Sequence, residues 1–340
     1  MSIRPPFFIA EISANHLGSI DRAKLLIESA AEAGASAVKF QTYTPDTMTL
    51  DLNSFRVSDD HNLWGGKSLY SLYKEAYTPW EWHKELFDFC KDLNVLPFST
   101  PFDLTAVDFL ETLEVEMYKI ASLETSDHAL IKKVSETGKP IIISTGATEW
   151  KEIEEFVEVV QKTGNKNLTL LLCTSSYPAD PIDSHINRLK LLERHFDVNV
   201  GLSDHTLGIG VSIAAITLGA TVIEKHLTLN RSDGGPDSAF SLEPKEFQSL
   251  VEEGNKAFLA IGKSEWQITE SEKESRRLRR SLYIVKNVKK GDLISSENLR
   301  AIRPGAGCSP KYLSNLLGKY FAEDYVLGTP MELAFALEIK

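Results

Sequence analysis

The stretch GLSDHTLGIGVSIAAITLGATVIEKHLTL (residues 201–229) contains two apolar runs separated by one segment of helical character. The first run ends at His205 and the second at His226, and Gly219 follows the helical segment where a C-cap glycine is expected. Near-continuous apolar runs that alternate with helices are typical of parallel strands covered by helices. The stretch therefore predicts a strand–helix–strand unit with an imidazole at the end of each strand.

The same unit recurs along most of the chain. Eight apolar runs have the length of a strand: FFIAEI (7–12), ASAVKFQT (35–42), VLPFST (95–100), MYKIAS (117–122), PIIIST (140–145), LTLLLCT (168–174), VNVGLSD (198–204) and ATVIEKH (220–226). Helix-like segments follow them, and eight such units within about 260 residues predict an α/β protein with a (β/α)8 TIM barrel. An open doubly wound sheet is the main alternative, but no glycine-rich phosphate loop follows the first run. A long irregular stretch, about residues 44–78, interrupts the pattern.

The composition changes near residue 263, which predicts a domain boundary. We expect the barrel to occupy residues 1–262 and a linker to follow at 263–280, because KSEWQITESEKESRRLRR is polar and highly charged. Residues 281–340 contain short β-like pieces and turns with little room for long helices. They predict a small second domain.

Composition also limits the class of partner. The net charge of −11 argues against a nucleic acid or an anionic membrane as partner, and no apolar run is long enough to span a bilayer. The N-terminal stretch has no signal-peptide pattern, and the three cysteines show no paired spacing, so we expect a cytoplasmic protein. Cys173 lies in an apolar run and is interpreted as a small buried side chain.

Polar residues at the ends of the predicted strands indicate an anion site. Lys39 and Lys119 each lie inside an otherwise apolar run, and buried lysines are rare unless they are paired. The active sites of (β/α)8 barrels lie at the carboxyl ends of the strands, where several hydroxyl side chains of this chain also fall. Lysines and hydroxyls that converge there predict a site for phosphate or carboxylate.

The two histidines of the opening stretch predict a metal site. Adjacent strands lie roughly 5 Å apart, so His205 and His226 could ligate one divalent metal, with Glu11 and water completing the shell. Two imidazoles with oxygen ligands suit Mn²⁺, Zn²⁺ or Fe²⁺. The alternative is that these histidines cap helices or bind the substrate.

Motifs throughout the chain resemble those of one enzyme family. They are AEISANHLGS, AVKFQTYTPD, FSTPFD, YKIAS, IISTG, CTSSYP, GLSDHTLG, VIEKHLTL and GGPDSAFSLEP, and they are similar to motifs of the nonulosonic (sialic) acid synthases. The segment SLYIVKNVKKGDLISSENLRAIRPGAG resembles the C-terminal antifreeze-like (SAF) domain of that family, here residues 281–340. The resemblance covers nearly the whole chain, and the motifs occur in the same order as in the family. It implies a (β/α)8 barrel followed by this module.

Within the family, three segments resemble the branch that makes pseudaminic acid: YTPDTMTLD, LWGGKSLYSLYKEAYTPWEWH and DGGPDSAFSLEP. Other branches usually carry a lysine-bearing stretch where Ser238, Ala239 and Phe240 follow Asp237 here. Ser175 stands where the family commonly has asparagine, and the pseudaminic branch tends to have serine there. The resemblance implies condensation of phosphoenolpyruvate with 2,4-diacetamido-2,4,6-trideoxy-L-altrose and water, with C–O cleavage that releases phosphate.

The resemblance also implies a role for each matching residue. The phosphate would bind Lys119, Ser122, Ser144, Ser175 and Ser203; the carboxylate Lys39 and Thr100; the sugar Glu11, Gln41, Tyr177 and Asp237; and the metal His205 and His226. Glu124 or Glu11 would accept the proton of the attacking water. The metal would be Mn²⁺, with Mg²⁺ or Co²⁺ as alternatives. Arg303 would reach the barrel of the partner subunit in a homodimer with swapped SAF domains.

Three other functions stay open at this point. The first is a synthase of legionaminic or N-acetylneuraminic acid, which keeps the chemistry and changes the sugar. The second is a non-catalytic sugar- or ice-binding protein built around the antifreeze-like module. The third is an aldolase that works without phosphoenolpyruvate and uses Lys39 or Lys119 as a Schiff base.

Overall fold

The structure is a computed structural model that describes residues 5–58 and 63–337. The chain forms two compact units, one ending at Gly262 and the other beginning at Lys263. In the described part of the chain, no helix is both long enough and apolar enough to cross a membrane.

Eight parallel strands close into a barrel in chain order, which confirms the predicted fold class. The strands are β1 (Phe7–Glu11), β2 (Ala37–Thr42), β3 (Leu96–Pro101), β4 (Tyr118–Ile120), β5 (Ile141–Ser144), β6 (Leu168–Cys173), β7 (Asn199–Ser203) and β8 (Val222–His226). Strand β8 pairs with β1, with His226 opposite Glu11, and Glu11 is in turn opposite Lys39 of β2. The register therefore brings three predicted site residues side by side.

Helices follow the strands along the chain, and most of them cover the outside of the barrel. They are α1 (Ile20–Glu32), α2 (Pro45–Met48), α3 (Leu69–Ala76), α4 (Trp80–Asp92), α5 (Leu104–Thr112), α6 (His128–Glu136), α7 (Trp150–Lys162), α8 (Arg188–Phe196), α9 (Gly210–Thr217) and α10 (Pro244–Ile261). Except for α2 and α3, their apolar faces pack on the outward side chains of the strands, such as Phe8, Phe40 and Ile143, in the main hydrophobic core. The covered sheet explains why the strands are apolar on both faces.

The connection between β2 and α4 differs from the prediction of an irregular stretch over about residues 44–78. It contains α2 and α3, and α3 begins after Ser68, whose side chain accepts a hydrogen bond from the Ser71 N–H. The prediction missed α3 because its eight residues have only one buried side chain, Leu72, so the apolar stripe is narrow. We call residues 43–79 the β2–α4 insertion.

The inward side chains of the barrel form layers because alternate residues of a strand point to the same face. The lowest layer is apolar and comprises Ile9, Ala37, Phe98, Ile142, Leu171 and Val222. A side chain at Gly201 would collide with this layer, since an added Cβ would lie 2.6 Å from Leu171 Cδ2. Two residues further along each strand, the inward positions become polar. This second layer comprises Glu11, Lys39, Thr100, Lys119, Ser144, Cys173, Ser203 and Glu224.

The second unit has its own small core. Strands β9 (Ser281–Ile284) and β10 (Leu299–Ile302) pair antiparallel, as do β11 (Tyr320–Phe321) and β12 (Ala336–Leu337), and α12 (Leu313–Leu316) lies between the two pairs in sequence. The core comprises Leu282, Ile284, Val288, Ile294, Leu299, Leu316, Phe321 and Met331.

The segment predicted as a linker contains a helix. Helix α11 (Glu270–Arg277) begins with a capping box formed by Thr269 and Glu272, and none of its residues is buried. Local capping and charge therefore give this segment a helix without an apolar face.

Candidate active site

A cavity of about 230 Å³ lies at the carboxyl ends of the barrel strands. Its lining includes both predicted lysines, both predicted histidines and the carboxylates Glu124, Glu224 and Asp237. The polar layer of the barrel forms its floor. The loops that follow the strands form its walls, so the cavity occupies the place where barrel enzymes carry out their chemistry.

Lys39 lies between two carboxylates. Its ammonium pairs with Glu11, lies 3.9 Å from Glu224 Oε1 and donates to Thr100 Oγ1 at 3.3 Å. Burial raises the pKa of Glu11 to about 7, because Lys39 offsets only part of the cost of a buried charge. Thr100 lies below the cavity and contacts Lys39 rather than the open space.

Lys119 contributes the second cation. Its ammonium donates to Ser144 Oγ at 2.6 Å and to the Ile120 carbonyl at 3.2 Å, and it lies 3.8 Å from Glu224 Oε1. Burial lowers the pKa of Lys119, and the neighbouring Lys39 adds to that effect. Two ammonium groups with hydroxyl neighbours fit the predicted anion site.

Glu224 is a site residue that the sequence reasoning missed. It is 4% exposed and lies between the two lysines, and Ser203 Oγ donates to it at 3.0 Å. Burial opposes its charge, but the Lys119 and Lys39 ammonium groups hold the pKa of Glu224 below its usual range. Its position two residues before His226 could have identified it as a site residue, because alternate residues of a strand point to the same face.

Several hydroxyls converge around Gly146, just after β5. The Gly146 N–H donates to Ser122 Oγ at 3.0 Å, and a Cβ at Gly146 would lie 2.2 Å from Ser175 Oγ. The missing side chain therefore allows a close approach of backbone and hydroxyls. Such a cluster beside Lys119 can donate hydrogen bonds to a phosphate group.

The two histidines lie together at the other side of the cavity. The ring centroids of His205 and His226 are 5.4 Å apart. The Nδ1 of His205 lies 3.0 Å from the Thr174 carbonyl and donates to it, so Nε2 is the atom that carries the lone pair when the ring is neutral. Nδ1 of His226 is buried and has no hydrogen-bond partner among the described residues. Burial and the nearby His205 hold the pKa of His226 well below its usual range, so its ring is neutral.

These features fit a divalent metal held by two imidazoles. Within residues 5–58 and 63–337, no group of three or more His, Cys, Asp and Glu side chains is arranged to hold a metal ion. Glu11, which the spacing offered as a further ligand, pairs with Lys39. The remaining ligands of a metal would therefore be water or substrate oxygens.

Two further carboxylates face the cavity. Burial raises the pKa of Glu124 to about 7, and its Oε2 has no hydrogen-bond partner in the described part of the chain. Burial also raises the pKa of Asp237, whose carboxylate accepts a hydrogen bond from Ser13 Oγ. Ser13 in turn accepts from Gln41 Nε2 at 3.0 Å. Ser13 lies within the AEISANHLGS motif but was not predicted as a site residue, and it orients two predicted sugar-binding residues.

Tyr177 and Cys173 complete the wall near the histidines. The ring of Tyr177 lies 4.5 Å from that of His205 and 5.1 Å from that of Phe240, measured between centroids. Cys173 lines the cavity, 3.9 Å from His205 Nδ1, so its interpretation as an apolar packing residue is wrong. Burial opposes ionisation of the thiol, but His205 and its polar neighbours lower the pKa of Cys173 to about 7.

Most of the predicted site residues of the barrel line the cavity, but three do not: Glu11 and Thr100 lie beneath it on Lys39, and Ser175 lies beside Gly146. Arg303 belongs to the second unit, where its side chain is exposed, and its role stays a prediction.

Comparison with known proteins assigns the family. The NeuB family profile matches residues 26–266, and the SAF domain profile matches residues 279–330. This chain belongs to the NeuB family. Among curated NeuB-related proteins, it is 40% identical to the pseudaminic acid synthase of Helicobacter pylori, over 97% of each chain. It is 36% identical to the N,N'-diacetyllegionaminic acid synthase of Campylobacter jejuni, over 95% of this chain and 98% of the other.

A solved structure agrees with the NeuB assignment. The N-acetylneuraminic acid synthetase of Leptospira borgpetersenii, in complex with citrate, superposes with a TM-score of 0.72 at 32% identity. The superposition covers 80% of this chain and 90% of that one.

Proposed function

We propose that this chain condenses phosphoenolpyruvate with 2,4-diacetamido-2,4,6-trideoxy-L-altrose and water, giving pseudaminic acid and phosphate. The observation that carries the proposal is 40% identity with a pseudaminic acid synthase over 97% of both chains. The cavity supports it, because it holds two buried lysines for an anionic substrate and two imidazoles nearby.

Separate sets of residues bind the two substrates. Lys119 and the hydroxyls of Ser122, Ser144, Ser175 and Ser203 bind the phosphate. Lys39 binds the carboxylate, and Thr100 positions the Lys39 ammonium from below. These contacts fix C3 of phosphoenolpyruvate against the aldehyde carbon of the sugar, and such positioning removes much of the entropic barrier. Gln41, Tyr177 and Asp237 face the sugar, while Glu11 lies beneath it in its ion pair with Lys39.

Bond formation between C3 and the aldehyde carbon leaves positive charge at C2 of phosphoenolpyruvate, and water adds there. The proton of that water goes to Glu124 or Glu11, whose raised pKa values near 7 suit a group that accepts a proton at neutral pH. The resulting tetrahedral centre loses its hydroxyl proton, breaks its C–O bond to phosphate and becomes the ketone, while the oxygen of the former aldehyde takes up a proton and becomes a hydroxyl. Lys119 stabilises the departing phosphate by its charge.

We propose that His205 and His226 hold a divalent metal, Mn²⁺ first, with Mg²⁺ or Co²⁺ as alternatives. When bound, such an ion polarises a carbonyl oxygen and so favours attack on the aldehyde.

We also propose a homodimer with swapped SAF domains, in which Arg303 reaches the partner's barrel. Leu123 lines the cavity and is 70% exposed, and Leu207, which follows β7, is 62% exposed; exposed apolar groups of this kind favour a covering partner. Light scattering should give twice the 37.9 kDa chain mass, and a monomer would contradict the swap. A cytoplasmic location stays a prediction.

The proposed activity is tested by phosphate release. Purified protein, phosphoenolpyruvate and Mn²⁺ are offered the altrose derivative or N-acetylmannosamine, each with and without EDTA. We expect release with the altrose derivative alone and none with EDTA. Release with N-acetylmannosamine alone would support the proposed reaction but contradict the proposed sugar substrate. Absence of release with either sugar would contradict the proposed function.

The histidine assignment has its own test. His205→Ala and His226→Ala should each abolish metal-dependent turnover while the circular dichroism spectrum is retained. Full activity of either variant would remove that residue from the metal site. Borohydride trapping during turnover addresses the aldolase alternative, since a covalent adduct on Lys39 or Lys119 would favour it.

A further inference from the structure

The cavity has two chemically different parts that come from different parts of the chain. Among the residues that the structure describes, the charged groups of the lining all follow or belong to barrel strands. In its described residues, 43–58 and 63–79, the β2–α4 insertion contributes five lining side chains, none of them charged: Met48, Trp64, Leu72, Tyr73 and Ala76. The insertion does contain charged residues, including Arg56, Lys67 and Glu75, but these do not line the cavity.

Trp64 ties the insertion to the opposite side of the cavity. Its indole Nε1 donates to the Pro236 carbonyl at 2.9 Å, and its ring lies 5.5 Å from the ring of Tyr177, measured between centroids. Pro236 follows β8 and Tyr177 follows β6. A tryptophan suits this bridging position because its large apolar ring packs on neighbouring rings while its indole N–H donates one hydrogen bond. The insertion therefore forms an apolar wall that is anchored on both sides.

The direction of the acceptor sugar follows from the proposed chemistry. The aldehyde carbon must lie near the lysines and histidines, where phosphoenolpyruvate is held. The rest of the open chain then extends away from the strand ends, toward the insertion. The proposed chemistry therefore directs the carbon farthest from the aldehyde, C6, toward this wall.

We propose that the wall formed by Met48, Trp64 and Leu72 selects an acceptor whose C6 is a methyl group over one with a hydroxyl there. This inference rests on the proposed function. A methyl group packs favourably on these side chains, whereas a hydroxyl loses its water without gaining a partner from them. Differences of this kind change kcat/KM by about 10- to 100-fold.

The test compares two acceptors of the same configuration, the 6-deoxy sugar and its 6-hydroxy counterpart, with Mn²⁺ and saturating phosphoenolpyruvate. For the wild type we expect kcat/KM to favour the 6-deoxy acceptor by about 10- to 100-fold. Met48→Gln, which offers an amide of similar length, should bring the ratio close to one. Trp64→Ala should lower the ratio and raise KM for the 6-deoxy acceptor. Neither change should alter KM for phosphoenolpyruvate, since both residues are outside the lysine and hydroxyl cluster.

Phe55→Ala is the matched control. Phe55 lies in the same insertion and is 40% exposed, but it does not line the cavity, so the ratio should stay at the wild-type value. Equal turnover of both acceptors by the wild type would overturn this inference alone. So would a strong preference that both wall variants retain. Absence of turnover with both acceptors would overturn the proposed function, and this inference with it.

Discussion

The change Lys225→Met should destabilise the barrel by about 3 kcal/mol, the low end of the range for breaking a buried ion pair. Lys225 lies between Glu224 and His226 but points to the opposite face of β8, where its ammonium lies 3.0 Å from Asp204 Oδ2. The two side chains are 0% and 1% exposed. The methionine fills a similar volume, so the loss comes from the charge that Asp204 keeps without its partner.

The low end of the range applies because Asp204 retains other donors. Thr206 donates to it from N and Oγ1, at 2.9 and 2.7 Å, and Ser212 Oγ donates at 2.6 Å. Asp204→Asn should cost more, because the Lys225 ammonium then has only neutral oxygens, chiefly the Thr206 carbonyl at 2.5 Å. The double variant should cost less than the sum of the two single changes, with a coupling of about 2 kcal/mol.

Urea unfolding followed by tryptophan fluorescence measures these changes. Lys84→Met is the matched control, since Lys84 forms an exposed ion pair with Asp88 and its loss should leave the midpoint almost unchanged. Because Asp204 and Lys225 adjoin His205 and His226 in sequence, Lys225→Met should also weaken Co²⁺ binding, measured by absorption. A destabilisation below about 1 kcal/mol, or additive costs in the double variant, would refute the argument.

Three other changes test the proposed roles. Lys119→Ala should raise KM for phosphoenolpyruvate about 10- to 100-fold, the loss expected for one charged hydrogen bond, and change KM for the sugar little; equal losses would argue against phosphate binding. The wild-type rate should fall below about pH 7, because Glu124, whose pKa is raised to about 7, becomes protonated there and can no longer accept a proton. Glu124→Gln should remove this decrease at low pH. Deletion of residues 281–340 and Arg303→Ala should both lower kcat/KM for the sugar, and a truncated chain with full activity would contradict a role in trans.

The fold could be predicted from local pattern alone. Each strand is buried on both faces, so each gives a continuous apolar run that the sequence displays directly. The lysines were visible for the same reason, since Lys39 and Lys119 interrupt such runs. Glu224 and Cys173 were not selected as site residues, because residues were chosen by their position at the end of a strand. The alternation of inward and outward side chains along each strand would have identified both.

The walls of the site could not be predicted in the same way. The hydrogen bond from Trp64 to Pro236 joins residues 172 positions apart, and no local pattern records such a contact. Helix α3 has too narrow an apolar stripe to be recognised. The role of Arg303 depends on an assembly, which the sequence of one chain indicates only through its resemblance to relatives.

The division of the cavity between strands and insertion has a consequence for how this enzyme changes over evolution. The barrel residues that hold the fold together also hold the charged floor, so most substitutions there disturb stability and chemistry at once. The insertion forms one continuous segment outside the closed sheet, and its replacement would leave every strand pairing intact. New acceptor preferences can therefore arise, or be engineered, by exchange of a single segment of about 37 residues while the barrel stays constant.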